Sequence, residues 1–306
     1  MPHVAIVGSC NIDLVAYTPR MPGPGETILG DRFVMGFGGK GANQAVMAAR
    51  LGASVSMIGA LGDDLYADMT VHNFTEQGVD AGRIARRPGS SGVAPIWVTP
   101  DGTNRIVVVP GANGLVTAEA AAAAIRDLPA VDVVVAQLEI PQAASLGAFR
   151  AARNRGATTI LNPAPAATLD EELIAATDWL IPNEHELAAL PGGPTADDDD
   201  ALVKVARLLH GGLIVTLGAT GAAVVTGGAV TRLPAPAVQA IDTTGAGDAF
   251  AGAFAVGLAT GLTPLDAARL GIQCASDSVQ RPGTQASFPD RRRALELRAW
   301  IAAGGR

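Results

Sequence analysis

Short apolar runs rich in β-branched residues alternate with longer, alanine-rich stretches of helical period along most of the chain. The runs at residues 3–7, 54–60, 131–137, 158–161, 179–181 and 213–217 predict buried strands. Residues 222–226 and 229–233, joined around Gly227 and Gly228, predict a hairpin. Helical periodicity predicts helices over 41–51, 65–77, 142–155, 171–176 and 197–210, and near 246–261, 264–279 and 291–303. Strands alternating with helices imply a mostly parallel sheet with helices on both faces, a three-layer α/β/α core. Strands without polar alternation fit a sheet covered on both sides.

Two segments break the alternation. Residues 13–35 hold a Pro/Gly stretch and no convincing helix, and residues 92–109 hold two apolar runs joined by Pro100-Asp101-Gly102. The second reads as a hairpin with a β-turn. Both predict antiparallel strands inserted into the core and meeting as a small β-sheet lid. The expected division is a core of 1–13, 37–91 and 112–306 and a lid of 14–36 and 92–111. A small sheet outside the core leaves an apolar face that a ligand or a second subunit would cover.

The chain has 306 residues, of which 48% are hydrophobic, too many for a disordered chain. The 37 glycines show no three-residue period, which excludes collagen, and no longer repeat points to a solenoid. The net charge of −7 argues against non-specific nucleic-acid binding. Cys10 and Cys274 are expected as buried free thiols, and the four histidines form no metal-ligand pair. The N-terminus lacks a basic region followed by a long apolar stretch, and the uncharged stretches 213–231 and 249–265 are interrupted by glycines. These features predict a cytoplasmic protein without a signal peptide or membrane span. Asp197, Asp198, Asp199 and Asp200 fit a solvated helix start.

Asp242-Thr243-Thr244-Gly245-Ala246-Gly247-Asp248 is a glycine-rich turn opening an Ala/Gly-rich helix. The first N–H groups of a helix lack internal partners and carry positive potential, so this turn can hold an anion. Asp248 is either a cap or a general base that takes a proton from an attacking hydroxyl. Gly36 to Ala45 contains a formal G-x-G-x-x-G with an acid about 20 residues on, at Asp63 or Asp64, the pattern of a dinucleotide fingerprint and the one basis for an NAD-dependent dehydrogenase. It does not follow the first strand, as that motif should. The other readings are a loop approaching a polyol, with Lys40 and Asn43 as donors, or a plain connection. Asn11 and Asp13, after the first strand, can fork vicinal hydroxyls or form a turn. Glu139 at another strand end can accept a sugar hydroxyl. Glu186, in Asn183-Glu184-His185-Glu186, can organise hydrated Mg²⁺ or serve as an N-terminal helix acid. Thr216-Leu217-Gly218-Ala219-Thr220-Gly221 suits nucleotide phosphates or a turn.

Taken together, these residues resemble the ribokinase-like carbohydrate kinases, the PfkB family. The likeness runs through Gly8 to Asp13, Gly38 to Ala45, Gln137 to Glu139, Asn162 to Ala166, Pro182 to Glu184, Thr216 to Gly218 and Asp242 to Asp248, nearly the whole chain in order. It implies a phosphotransferase that moves the γ-phosphoryl group of ATP to the 5-hydroxyl of D-ribose. Deoxyribose, a nucleoside such as adenosine, or a ketohexose are the alternative acceptors. The resemblance implies Asp248 as catalytic base and the Gly245, Ala246 and Gly247 amides as anion hole. It implies sugar contacts at Asn11, Asp13, Gly39, Lys40, Gly41, Asn43, Glu139 and Asp248. Nucleotide contacts are implied at Asn183, Thr216, Leu217, Gly218, Ala219, Thr220, Gly221, Gly247 and Asp248. It further implies Mg²⁺ near Glu186 through water, and K⁺ held by Asp242, Thr244, Ser278, Arg281, Gly283 and Ser287, several through carbonyls. Pairing of lid sheets into a homodimer is also implied. Ile272 stands where relatives often place Asn or His near adenine, so no adenine contact is assigned there.

Overall fold

The computed structural model describes residues 1–305. Its strands are β1 (His3–Val7), β2 (Asn11–Tyr17), β3 (Arg32–Gly38), β4 (Ser54–Leu61), β5 (Val79–Arg86), β6 (Gly92–Val98), β7 (Asn104–Ile106), β8 (Val133–Ala136), β9 (Thr158–Leu161), β10 (Trp179–Leu180), β11 (Gly212–Thr216), β12 (Ala222–Thr226) and β13 (Ala229–Leu233). Its helices are α1 (Lys40–Arg50), α2 (Leu65–Gln77), α3 (Ala118–Arg126), α4 (Gln142–Arg153), α5 (Glu171–Ala175), α6 (Glu184–Ala188), α7 (Asp199–Ala206), α8 (Ala246–Ala259), α9 (Pro264–Ser278) and α10 (Arg291–Ala302). The large sheet runs β13-β12-β11-β10-β9-β8-β1-β4-β5, parallel from β11 to β5 and antiparallel through the β12–β13 hairpin. Two apolar layers cover it. One packs Val4, Ile6 and Met57 against α1, α8 and α9, and the other packs Val7, Val134 and Leu161 against α3 and α4.

The chain leaves β1 for β4 on one side and β8 on the other. Strand order therefore reverses at β1, and ligands of such sheets bind beyond the carboxyl ends at that switch point. The segments after β1 and β8 meet there. So does the start of α1, where Gly39 has φ of 85° and its missing Cβ would lie 2.7 Å from Asn11 N.

Helix α8 is buried along Asp248 to Gly257, so it has no polar face. Gly252 permits its contact with α1, since a Cβ there would lie 2.7 Å from the Gln44 carbonyl oxygen. Asp198 caps α7 through Ala201 N, so the Asp197–Asp200 run is a helix start. Asp64 caps α2 through Ala67 N and also accepts from Ser91 N and Oγ, so one of the two acids named for a dinucleotide fingerprint is engaged structurally.

The second sheet has the order β3-β2-β6-β7. It differs from the expected lid in two respects. First, β2 and β6 pair in parallel, because the chain between them passes through the core before returning. Second, the sheet begins at Asn11 and ends at Gly38 on its β2–β3 side, so Asn11 and Asp13 belong to its base and the boundaries at 13/14 and 36/37 fall inside strands. Two elements have no counterpart in the hydrophobic pattern. Strand β5 lies at a sheet edge with only Val79 buried, and α3 is marked by alanines rather than by large apolar side chains. Among the described residues, no helix is long and apolar enough to cross a membrane. Cys10 and Cys274 are buried free thiols, and burial followed by the Glu139 charge pushes Cys10 up to about 12.

Asp64→Ala removes a helix cap and the partner of Ser91, which precedes the β6 lid strand. We expect a loss of about 1–3 kcal/mol in denaturant unfolding, without a change in α-helix content beyond the first turn of α2. A loss below about 0.5 kcal/mol would contradict the role assigned to this carboxylate.

Candidate active site

Asp248 lies in the first turn of α8 with 6% of its surface exposed. Its Oδ2 accepts from Asn43 Nδ2 at 2.8 Å and its Oδ1 from Gln44 Nε2 at 3.0 Å, both on α1. An ionised carboxylate offers about four acceptor positions, so capacity remains for a hydroxyl. Burial raises the Asp248 pKa, opposed by the charge of Lys40 and by the two amides. Among the described residues, the N–H groups of Gly245, Gly247 and Asp248 have no partner, whereas Ala246 N–H donates to Thr243 O at 3.2 Å. The expected anion hole thus has free amides at 245 and 247 and an engaged one at 246. Gly247 is exposed, and a Cβ there would meet nothing within 4 Å. Gly245 has φ of 78°, and Thr284 Cγ2 lies 2.7 Å from where its Cβ would be.

Around the switch point, Glu139 Oε2 accepts from Lys40 N at 3.0 Å and from the Ser9 hydroxyl. Glu139 therefore anchors the start of α1, with its second oxygen left over. Asn11 is fixed by a residue the sequence reading did not single out. Asn113 Nδ2 donates to Asn11 Oδ1 at 2.8 Å, while Asn113 also brackets the Cys10 backbone. No local pattern marks it; Gly92 lacks a Cβ where both amides pass, which lets them meet. Asp13 lies over Gly38. Burial, then the Glu139 charge, push its carboxyl up to about 7 against a bond with the Thr284 hydroxyl, and Asp248 adds to the rise. Lys40 sits half-buried. Burial works against its charge, yet Asp248, Glu139 and Glu186 hold its pKa above the ordinary value. Gly41 has its Cα position against Gly8 and Ser9, so it serves the close approach of α1 to β1.

On the other flank, Asn183 and Glu186 form a capping box: Glu186 N donates to Asn183 Oδ1, and Asn183 N to Glu186 Oε2, each at 2.9 Å. Glu186 is buried, with Oε1 free. Burial raises its pKa, against the Asn183 bond and Lys40 and together with Asp248. Asn183 bridges to Thr216, which brings the end of β11 beside this acid. Gly218, Ala219 and Thr220 form an exposed single turn, with Leu217 partly covered. Gly221 differs from expectation. It is buried, and a Cβ would lie 2.0 Å from Leu233 O, so its glycine serves the packing of β13.

Asp242 accepts from Thr244 N and Gly283 N, each at 2.9 Å, which clamps the anion loop to the turn after α9. Among the described residues, the carbonyls of Asp242, Thr244, Arg281 and Gly283 accept no hydrogen bond. Those of Ser278 and Ser287 are engaged by Arg281, through its N–H at 3.2 Å and its guanidinium at 2.7 Å. Of the six expected K⁺ positions, four thus offer open carbonyls and two offer carbonyls that already accept hydrogen bonds. No group of three or more His, Cys, Asp or Glu able to hold a metal occurs among the described residues. One free Glu186 oxygen suits an ion that keeps most of its own waters, as Mg²⁺ does.

An acid at an open helix start, beside the switch point of the large sheet and the base of a small one, suits phosphoryl transfer to a small hydroxyl compound. The chain belongs to the pfkB family of carbohydrate kinases, whose profile matches residues 1–291, and it is a sugar kinase. It is 38% identical over 290 residues to a ribokinase from Lactococcus lactis, covering 94% of each chain. It is also 38% identical over 291 residues to a deoxyribokinase from Salmonella typhi, covering 94% and 95%. Among solved structures, Arabidopsis thaliana ribokinase complexed with ribose and ATP matches with a TM-score of 0.88 at 32% identity, over 97% of this chain and 98% of that one.

The raised Asp13 pKa has a measurable consequence. The folded chain keeps a proton on Asp13 that the unfolded chain releases above about pH 4. The stability this confers is present below about pH 4 and is lost as pH rises to about 7. Asp13→Asn lacks that loss, so its thermal midpoint should gain on the parent's between about pH 5 and about pH 8. A pH-independent difference contradicts the assignment.

Proposed function

We propose that the chain transfers the γ-phosphoryl group of ATP to the 5-hydroxyl of D-ribose, giving D-ribose 5-phosphate. One observation carries this reading: a buried carboxylate with acceptor capacity left, Asp248, adjoins unpaired N–H groups at the start of a buried helix. Phosphoryl transfer needs in-line positioning and charge neutralisation more than covalent chemistry. Asp248 accepts the proton of the 5-hydroxyl as its oxygen attacks, and burial makes it a stronger base than a surface carboxylate. The free amides of Gly245 and Gly247 and the dipole of α8 stabilise charge on the migrating group. Asn11, Asp13, Lys40, Asn43 and the free oxygen of Glu139 orient the sugar. The close backbone at Gly39 and Gly41 shapes the pocket floor. Asn183, Thr216 and the 217–220 turn receive the nucleotide.

Mg²⁺, when bound, neutralises charge on the phosphates, and Glu186 would hold it through water. The carbonyls at 242, 244, 281 and 283 would hold K⁺ beside the anion loop. The lid sheet carries Phe33 at 64% exposure, and Val107, just past β7, is 53% exposed. A second copy of the chain covers this face in a homodimer. The work is that of a cytoplasmic enzyme.

Deoxyribose is the second reading, favoured by the 38% identity to a deoxyribokinase. Incubation with ATP, Mg²⁺, K⁺ and a panel of ribose, 2-deoxyribose, a nucleoside and a ketohexose, read as ADP release, tests both. Ribose should be turned over with the highest kcat/KM. Preference for another sugar moves the substrate, and no release with any sugar removes the reading. Asp248→Asn should lower kcat by about 10²–10⁴-fold with sugar affinity largely kept, measured by coupled assay and calorimetry.

A further inference from the structure

The hydrogen bonds that hold Asp248 continue past Asn43 and Gln44. Asn43 Oδ1 accepts from Gln285 Nε2 at 3.1 Å, and Gln285 Oε1 accepts from Asn73 Nδ2 at 3.0 Å. On the other side, Gln44 Oε1 accepts from Gln137 Nε2 at 2.6 Å, and Gln137 Oε1 ends that chain buried and without a partner. All five amides are buried. An ionised carboxylate only accepts, so it turns the NH₂ of Asn43 and Gln44 toward itself. Each amide then shows its oxygen to the next one out. The orphan oxygen of Gln137 follows from this polarity, because flipping that amide would set its oxygen against Gln44 Oε1. The carboxylate and the amides thus have one consistent direction, set from the Asp248 end.

Gln285 sits in the turn that also shapes the anion loop. Gly283 N donates to Asp242, and Thr284 and Phe288 occupy the space where Gly245 lacks a Cβ. The turn is tied down from outside. Arg50 Nη1 donates to Gln285 O at 3.0 Å and Phe288 O at 3.1 Å, while Arg50 Nε donates to Gln77 on α2. Asn73 stands on the same helix. One turn therefore touches both the amides that receive the phosphoryl group and the amide that holds the base.

Resting on the reading of Asp248 as base, we propose that Gln285 and Asn73 are positioning residues for phosphoryl transfer, acting through Asn43. They keep the Asn43 NH₂ on Asp248 Oδ2 and so keep the carboxylate aimed at the sugar hydroxyl. Neither touches the reacting atoms. Because Gln285 moves with the anion-loop turn, the base and the anion hole are set together.

The direction of the relay gives a test that a packing role does not share. Kinetics are measured at about pH 9.5, above the range of about 8–9 to which burial can raise an introduced carboxyl. Gln285→Met keeps the shape and removes both amide functions, and it should lower kcat about tenfold with a smaller change in sugar KM. Gln285→Glu should lower kcat further than Gln285→Met. A carboxylate there draws the Asn43 NH₂ away from Asp248 and leaves an oxygen facing an oxygen. A merely structural role predicts a loss of kcat that follows the loss of thermal stability, which an unpaired buried charge also causes, so the unfolding midpoint of each variant is measured alongside. Asn73→Leu, one amide further out, should lower kcat by a few-fold at unchanged KM. It carries the test if the Gln285 variants fail to fold, as judged by circular dichroism and ADP binding. The inference is overturned if Gln285→Met and Asn73→Leu keep kcat within twofold of the parent, or if Gln285→Glu is the milder Gln285 variant. Asp248→Asn assayed alongside separates the two readings. Turnover retained there removes the base itself, whereas an inactive Asp248→Asn with fully active relay variants removes only the relay.

Discussion

A carboxylate buried at the first turn of a helix that is itself buried along most of its length is the constraint on which the structure turns. Removing such a charge from water is costly unless it is paired and hydrogen-bonded. Asp248 meets that requirement with two α1 amides, the nearby Lys40 charge and the positive end of α8. The compensation depends on α1 lying close against α8. That closeness depends on small residues, Gly252 on one helix and Gly41 against Gly8 on the other side. Here core packing and site electrostatics are the same set of contacts.

The sheet topology supplies the location. Reversal of strand order at β1 opens a crevice between the segments after β1 and β8, and the starts of α1 and α8 both point into it. The lid sheet grows out of the crevice. Its strand β2 begins with Asn11 and Asp13, so the residues at the base of the lid are also residues of the site. On the proposed reading, movement of the lid would move Asn11 and Asp13 against the sugar, a direct link between closure and chemistry.

Much of this was legible in the chain itself. Parallel strands announced themselves as unbroken apolar runs, and the glycine-rich turn at 242–248 marked an open helix start. Other features were hidden for physical reasons. Edge strand β5 lacks an apolar run because one side faces water, and α3 lacks a stripe of large residues. The parallel β2–β6 pairing joins segments about 80 residues apart, which no local pattern encodes. The buried amides Asn73, Asn113 and Gln285 are ordinary polar residues in sequence. Their importance arises only from whom they meet. The Asn183–Glu186 spacing was legible in both of its senses, and the capping box shows that one carboxylate can fill the structural one and keep an oxygen for the other.

The central claim is that Asp248 reaches the attacking hydroxyl beside free main-chain N–H groups. A crystal structure with ribose and a non-hydrolysable ATP analogue measures it most directly. The account predicts the sugar 5-oxygen within hydrogen-bond distance of an Asp248 oxygen, about 2.5–3.0 Å, with the terminal phosphate facing the amides of Gly245 and Gly247. A sugar whose hydroxyls all lie away from Asp248, or a phosphate seated elsewhere, would contradict it.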